Sequence, residues 1–159
     1  MTDSRGEGPV LFAYDGSEQA KAAIRQAARQ LQNGRPAIVL TVWQPFAALP
    51  FAGAPGVPST GLEEGFETEA RRVANEGVEL ARSAGFAARP NAEQGDPIWK
   101  RIVDSADEHD ASIIVMGSHG RTGISLVLLG SVAEATVRHT ERLVLIAHGE
   151  STPASGQSA

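Results

Sequence analysis

The chain has 159 residues, 42% of them hydrophobic and 21% charged, which is typical of one soluble globular domain. It contains no cysteine, and this excludes disulfides, thiolate nucleophiles, zinc-thiolate sites and iron-sulfur clusters. The formal net charge of −5 and the lack of a long basic run argue against a nucleic-acid partner.

The two ends of the chain differ from the rest in composition. Residues 1–8 are polar, and residues 149–159 are small, polar and rich in proline, glycine and serine, so we predict disordered tails around one domain at 9–148. The N-terminus has no apolar segment that would direct secretion, and no apolar run approaches the roughly 18 residues that cross a bilayer. We therefore expect a cytoplasmic protein without membrane contact.

Short apolar runs alternate with helical patterns along the domain. A strand is predicted over residues 10–14, and a helix capped by Ser17 follows it. The second strand, over 37–42, leads into residues 44–61, where four prolines and three glycines predict a long flexible loop. Thr60 is expected to open a capping box for the next helix, over 62–81.

The second half of the domain continues this alternation. Strands are predicted at 86–93, 112–116 and 143–147. The helix between the first two of these should have Asp96 as its N-cap and Pro97 in its first turn. Ser131 should open the last helix through a capping box with Glu134. Five apolar strands separated by helices indicate an α/β fold, a doubly wound parallel sheet with helices on both faces.

A glycine-rich stretch follows the fourth strand, and Ser131 stands at the next helix start. Glycines at 117, 120, 123 and 130 suit a loop whose bare main chain approaches an anion such as a phosphate. His119 and Arg121 would add charge-assisted hydrogen bonds. The alternative is a turn whose glycines adopt positive φ. The spacing matches neither the common phosphate loop nor the dinucleotide motif.

This combination resembles the universal stress protein family. The family pattern G-x2-G-x9-G-[ST] is matched without gaps by Gly117, Gly120, Gly130 and Ser131. The opening VLFAYDGSE at 10–18 and the wording MGSHGRTG at 116–123 are also similar to the family's. The resemblance implies a Rossmann-like, adenine nucleotide alpha hydrolase-like sheet of strand order 3-2-1-4-5, and the glycine pattern is that of the ATP-binding branch.

The resemblance also implies a ligand site and a partner surface. ATP would lie across the ends of strands one, two and four, with Mg²⁺ held mainly through the phosphates and no metal ligand required from the protein. A homodimer would form through the last strand, Leu143–Ala147. The residues expected around adenine, ribose and phosphates are Ala13, Tyr14, Asp15, Val42, Met116, Gly117, His119, Gly120, Gly130, Ser131 and Val132, beside Arg121 from the glycine-rich loop.

Several of these residues have a purely structural alternative. Asp15 stands at an ordinary turn before a helix, and a capping Ser131 hydroxyl would have less freedom to reach a phosphate. His109, His139 and His148 lack metal-ligand spacing and are expected to be structural or solvated.

Three functions remain open from the sequence. The first is an ATP-binding regulatory module in a stress response. The second is a phosphohydrolase or transferase that uses the same pocket, although no catalytic constellation is recognisable. The third is a flavin carrier, which the aromatic content of 5% disfavours.

Overall fold

The structure is a computed structural model that describes residues 7–57, 61–120 and 129–149. Strands and helices alternate along these ranges. The strands are β1 (Val10–Ala13), β2 (Pro36–Trp43), β3 (Ala87–Gln94), β4 (Ile113–Gly117) and β5 (Leu143–Ala147). The helices are α1 (Glu18–Gln30), α2 (Leu62–Ser83), α3 (Ile98–Glu108) and α4 (Ser131–His139). Each predicted element is confirmed, whereas the predicted tails lie almost entirely outside the described residues.

The five strands form one parallel sheet in the order β3-β2-β1-β4-β5, as predicted. Leu11 of β1 lies between Ile38 of β2 and Ile114 of β4. The chain winds from β1 toward β3 and then crosses back to β4 and β5. Because such crossovers are right-handed, the two directions place their helices on opposite faces. The winding therefore reverses between β1 and β4.

Helices cover both faces of the sheet, which explains why the central strands β1, β2 and β4 are apolar runs. Side chains alternate between the faces along each strand. One face packs against α1 and α2, and its buried core includes Phe12, Val39, Val115, Ile24, Val73 and Val78. The other packs against α3 and α4, and its core includes Leu11, Leu40, Ile114, Ile102, Ala106 and Ala133.

The first helix begins as the sequence predicts. The Ser17 hydroxyl oxygen accepts a hydrogen bond from the backbone N–H of Ala20 at 3.1 Å. The Asp15 carboxylate accepts one from the Ser17 N–H at 3.0 Å, and Gly16 between them has a φ of 80°. The turn and cap alternative for Asp15 is thus confirmed, and it leaves the second carboxylate oxygen on the side of Gly120.

The other three predicted helix caps are wrong. The N-cap of α2 is Gly61 rather than Thr60, and its φ of 85° turns the chain without a side-chain hydrogen bond. The N-cap of α3 is Pro97, because Asp96 instead accepts a hydrogen bond from Gln44 at 3.0 Å. The N-cap of α4 is Gly130, which makes Ser131 the first helical residue.

The proline-rich segment after β2 forms no long helix or strand over residues 44–57, in agreement with the sequence. It contains one short 3-10 turn, Phe46–Ala48. Phe46 is buried and meets the ring of Phe51 edge-on, with 5.9 Å between ring centroids. Positions 58–60 of the predicted flexible loop lie outside the described residues.

Arg142 fixes the start of β5. Its guanidinium donates to Asp107 at 2.8 Å and to Asp110 at 3.3 Å, and also to the carbonyl of Ala111. The last strand is thereby tied to the C-terminal end of α3. Over the described ranges, no helix has the length and apolar character needed to span a bilayer.

Candidate functional site

A cavity of about 480 Å³ opens at the carboxyl ends of β1, β2 and β4, where the winding of the sheet reverses. Ligands of doubly wound sheets bind at this position. Arg121 lies outside the described residues. Every other predicted site residue lines the cavity, namely Ala13, Tyr14, Asp15, Val42, Met116, Gly117, His119, Gly120, Gly130, Ser131 and Val132.

The cavity also has lining residues that the sequence did not single out. They are Ala20, Leu40, Ile98, Ile102, Ser118, Leu129 and Ala133. Leu40 and Val42 of β2, with Ile98 and Ile102 of α3, form an apolar wall of the cavity. Another part of the lining comes from the loop after β4 and the start of α4. No residue of the segment 44–57 lines the cavity.

Tyr14 borders the cavity, but its ring points to the other face of the sheet. The ring packs against Gly77 of α2, where a Cβ would stand 2.8 Å from it. Its hydroxyl donates to Glu76 at 2.8 Å. Its backbone N–H donates to the Leu40 carbonyl at 2.8 Å, and its carbonyl accepts from the Thr41 hydroxyl at 2.9 Å. Tyr14 therefore positions the end of β1 and offers no ring to a ligand.

Tyr14 and Glu76 shift each other's pKa. Burial, and then the hydrogen bond to Glu76, raises the pKa of Tyr14. The same bond, with support from Lys21 at 3.3 Å and Arg72 at 3.5 Å, lowers the pKa of Glu76 below its ordinary value of 4.5. A carboxylate with a lowered folded-state pKa stabilises the fold above its unfolded pKa, and the contribution is lost as the pH falls through the folded value.

We expect Glu76→Gln to reduce the free energy of unfolding at neutral pH, and to have progressively less effect below about pH 4.5. Urea denaturation at a series of pH values measures this. Glu79→Gln is the control, because the Glu79 side chain is exposed and, among the described residues, its ion pair is with Arg82 at 3.5 Å. A Glu76→Gln effect of equal size at acidic and neutral pH would contradict the assignment.

The motif glycines from the end of β4 onward do not adopt positive φ, and two of them allow close packing against backbone. Gly117, Gly120 and Gly130 are not among the glycines of positive φ. A Cβ on Gly117 would lie 3.0 Å from the carbonyl carbon of Gln19, in the backbone of α1. A Cβ on Gly130 would lie 3.1 Å from the Ser118 carbonyl oxygen. The positive-φ alternative is therefore wrong for these three glycines.

Three N–H groups of this loop are already engaged. Ser118 N–H donates to the Ala147 carbonyl at 2.9 Å, and His119 N–H donates to the Gln19 side chain at 2.7 Å. Gly130 N–H donates to the Ser118 carbonyl at 2.7 Å. A satisfied N–H is not available to a ligand. The expectation that the loop exposes successive amide groups to an anion is therefore wrong for these three residues.

At the start of α4, in contrast to the loop, the backbone N–H groups are not engaged by described residues. No side chain caps this helix, and its first internal hydrogen bond runs from Glu134 N–H to the Gly130 carbonyl at 2.9 Å. The N–H groups of Ser131, Val132 and Ala133 thus find no acceptor within the described part of the chain. Three unpaired donors at the positive end of a helix dipole, on the rim of a cavity, suit an anionic ligand.

Gln19 supports two residues of the site, and sequence reasoning missed it. It sits in the first turn of α1, and its side-chain oxygen accepts from both the His119 N–H and the Ser118 hydroxyl, the latter at 3.1 Å. One feature of the sequence indicates this role. Gln19 follows the first strand, which lies beside the fourth strand in this fold, and Ser118 and His119 follow the fourth.

His109 lies near Glu93 and Glu108, close enough for the three side chains to share a cation. Arg101 already occupies the place between the carboxylates, at 2.6 Å from each. A guanidinium in that position neutralises the charge that a metal ion would require. The structural role expected for His109 agrees with this arrangement, and its Nδ1 lies 2.8 Å from the Ser105 carbonyl oxygen.

Comparison with known sequences gives one family. The model described as the universal stress protein family matches residues 8–148. The universal stress protein Sll1388 of Synechocystis sp. is 30% identical over 152 residues, which are 89% of this chain and 97% of that protein.

Solved structures give the same fold. The protein MJ0577 of Methanocaldococcus jannaschii superposes with a TM-score of 0.75 at 23% identity, over 92% of this chain and 99% of its own. A universal stress protein from Archaeoglobus fulgidus, solved in complex with dAMP, has a TM-score of 0.62 at 26% identity, over 88% and 97% of the two chains.

Proposed function

Since the chain belongs to the universal stress protein family, we propose that it binds ATP in the cavity at the ends of β1, β2 and β4. In this proposal the protein is a nucleotide-dependent regulatory module of a stress response, located in the cytoplasm. The relative from Archaeoglobus fulgidus was solved with an adenine nucleotide, dAMP, which supports the ligand class.

One observation carries the proposal: an apolar wall and unpaired helix N–H groups share one cavity. A nucleotide has the same division, with a flat apolar base at one end and an anionic phosphate chain at the other. Val42, Ile98 and Ile102 offer apolar contact for the base. The N–H groups of Ser131, Val132 and Ala133 would receive phosphate oxygens.

The remaining predicted contacts follow from this orientation. Ala13 and Asp15 would border the ribose, Val42 would offer its backbone to the adenine edge, and Gly120 would lie beside the phosphates. Mg²⁺ would be held mainly by phosphate oxygens, which suits an ion that keeps much of its water. A flavin finds less support, because Tyr14 and His119 are the only described lining residues with rings and the Tyr14 ring faces α2.

A homodimer through β5 is part of the proposal. Among the described strands β5 stands at the edge of the sheet and pairs on one side, and Leu143 at its start is 73% exposed. Such an edge can pair with the same strand of a second copy. Sedimentation equilibrium with and without Mg-ATP measures the dimer and its dependence on nucleotide.

The test of ATP binding has two parts. Nucleotide released from the purified protein by denaturation is identified first, and ATP is expected, whereas ADP would favour slow hydrolysis. Second, Mg-ATP at about a hundredfold excess over its dissociation constant should stabilise the fold by about 2.7 kcal/mol, raising the melting temperature by about 5–10 °C. Mg²⁺ alone and Mg-GTP are the controls. A melting curve that millimolar Mg-ATP does not move would refute the proposal.

A further inference from the structure

Three polar side chains form a continuous chain of contacts from α1 to the cavity. The Gln19 oxygen lies 2.7 Å from the His119 backbone nitrogen and 3.1 Å from the Ser118 hydroxyl oxygen. The same hydroxyl oxygen lies 3.2 Å from Nδ1 of His119. Both residues, Ser118 and His119, line the cavity, and Ser118 is buried. The directions of these hydrogen bonds determine what His119 presents to a ligand.

The first direction is fixed by the backbone. A backbone N–H can only donate, so the Gln19 atom that meets the His119 nitrogen must be the carboxamide oxygen. This settles the orientation of the carboxamide. An amide oxygen carries no proton and can only accept, so the Ser118 hydroxyl must be the donor in its contact with Gln19.

The second direction follows from the single proton of a hydroxyl. Because Ser118 donates that proton to Gln19, its oxygen has only lone pairs to offer His119. The contact with Nδ1 is then a hydrogen bond only if Nδ1 carries the proton. Ser118 is 2% exposed, so solvent does not offer its hydroxyl another partner.

In the neutral ring the other nitrogen, Nε2, is then unprotonated. It has no hydrogen-bond partner in the described part of the chain. An unprotonated nitrogen accepts hydrogen bonds and repels the oxygens of a phosphate, which are acceptors as well. An adenine nucleotide has two kinds of donor, the amino group of the base and the sugar hydroxyls. In the orientation proposed above the base contacts Val42, Ile98 and Ile102, whereas His119 belongs to the loop after β4, so the sugar hydroxyls are the donors expected on its side.

We propose that Gln19 and Ser118 are positioning residues that hold His119 in its Nδ1–H tautomer, and that Nε2 accepts a hydrogen bond from a ribose hydroxyl of the bound nucleotide. The second half of this inference rests on the nucleotide site proposed above. In this arrangement the start of α4 binds the phosphates, and His119 contributes to recognition of the sugar.

The tautomer is measurable by NMR without any ligand. Long-range proton–nitrogen correlation spectra of the ¹⁵N-labelled protein, recorded at alkaline pH where imidazole is neutral, distinguish Nδ1–H from Nε2–H. Nδ1–H is expected for His119, and the exposed His148 serves as an internal reference. The Nε2–H tautomer for His119 in the unaltered protein would overturn the inference, whether or not ATP binds.

A matched pair of variants tests the role of Gln19. Gln19→Glu keeps oxygen acceptors and should leave His119 in the Nδ1–H form. Gln19→Met has similar length without the acceptor, so the Ser118 hydroxyl becomes free to donate to Nδ1 and the population should shift toward Nε2–H. A purely structural role for Gln19 predicts no such shift. An unchanged tautomer in a folded Gln19→Met protein would therefore contradict the proposed role of Gln19.

The sugar contact is tested with 2′-deoxy-ATP and 3′-deoxy-ATP. Loss of one neutral hydrogen bond should weaken binding of one of these analogues by about two- to tenfold relative to ATP. His119→Phe should abolish that difference. Equal affinity of the unaltered protein for all three nucleotides would overturn the hydroxyl contact alone. No binding of any of them, with His119 still in the Nδ1–H form, would refute the ATP site itself.

Discussion

Replacing Ser131 by glutamate is expected to weaken Mg-ATP binding on the order of a hundredfold without loss of fold stability. Ser131 is exposed and is the first residue of α4. A carboxylate there stabilises the helix by about 0.3–1 kcal/mol, because it lies at the positive end of the dipole. The same carboxylate would occupy the side of the cavity where the phosphates are proposed to bind.

The two effects have opposite signs and are measured separately. Urea denaturation gives the free energy of unfolding, and isothermal titration gives the affinity for Mg-ATP and for adenosine. Adenosine has no phosphate, so its affinity should change little in Ser131→Glu. Repulsion between like charges a few ångströms apart amounts to a few kcal/mol at the effective dielectric constant of a protein surface, about 20, which is the origin of the expected loss.

Ser131→Gln is the matched control for this variant. It has the size of glutamate without the charge, so it should retain most of the affinity for Mg-ATP. If Ser131→Glu binds Mg-ATP as tightly as the unaltered protein, the phosphates do not lie at the start of α4. If both variants lose affinity equally, the cause is steric and the electrostatic assignment is wrong.

The sheet was predictable because helices cover both of its faces and its central strands are buried. Continuous apolar runs such as residues 10–12 and 37–40 are typical of such strands, and the intervening helical patterns require parallel crossovers. Helix caps were less predictable, because several neighbouring residues can cap the same helix start. Asp96 had a competing partner in Gln44, which is far from it in sequence.

The part of the candidate site that carries the glycine motif was predictable. Its apolar lining was not, because a residue that lines a cavity has the same sequence pattern as a residue of the core. Ile98 and Ile102 follow the same helical spacing as any core residue, and only the fold shows that the space before them is open. Gln19 had no signal of its own, since its partners Ser118 and His119 are about a hundred residues away in the chain. The glycine motif correctly marked the loop but did not reveal which N–H groups are engaged.

Gly117→Val is expected to destabilise the fold by about 2 kcal/mol or more, since overpacking in a close-packed interior costs about 1–3 kcal/mol. The nearest atoms to a new Cβ belong to α1: the Gln19 carbonyl carbon and Cβ at 3.0 Å and the Ala20 nitrogen at 3.2 Å. Backbone atoms of a helix cannot swing aside as a flexible side chain can. The two methyl groups of valine add further volume, and Gly117→Ala should therefore cost less than Gly117→Val.

Gly65→Val on α2 is the control, because nothing lies within 4 Å of a Cβ at that position and the residue is exposed. Its free energy of unfolding should be unchanged or slightly higher than that of the unaltered protein, because glycine is the poorer helix former. If the absent side chain of Gly117 made room only for phosphate, Gly117→Val would be as stable as the unaltered protein and would merely fail to bind Mg-ATP. The urea midpoint of that one variant, read beside Gly65→Val, therefore decides whether the first motif glycine serves the contact between β4 and α1 or the ligand.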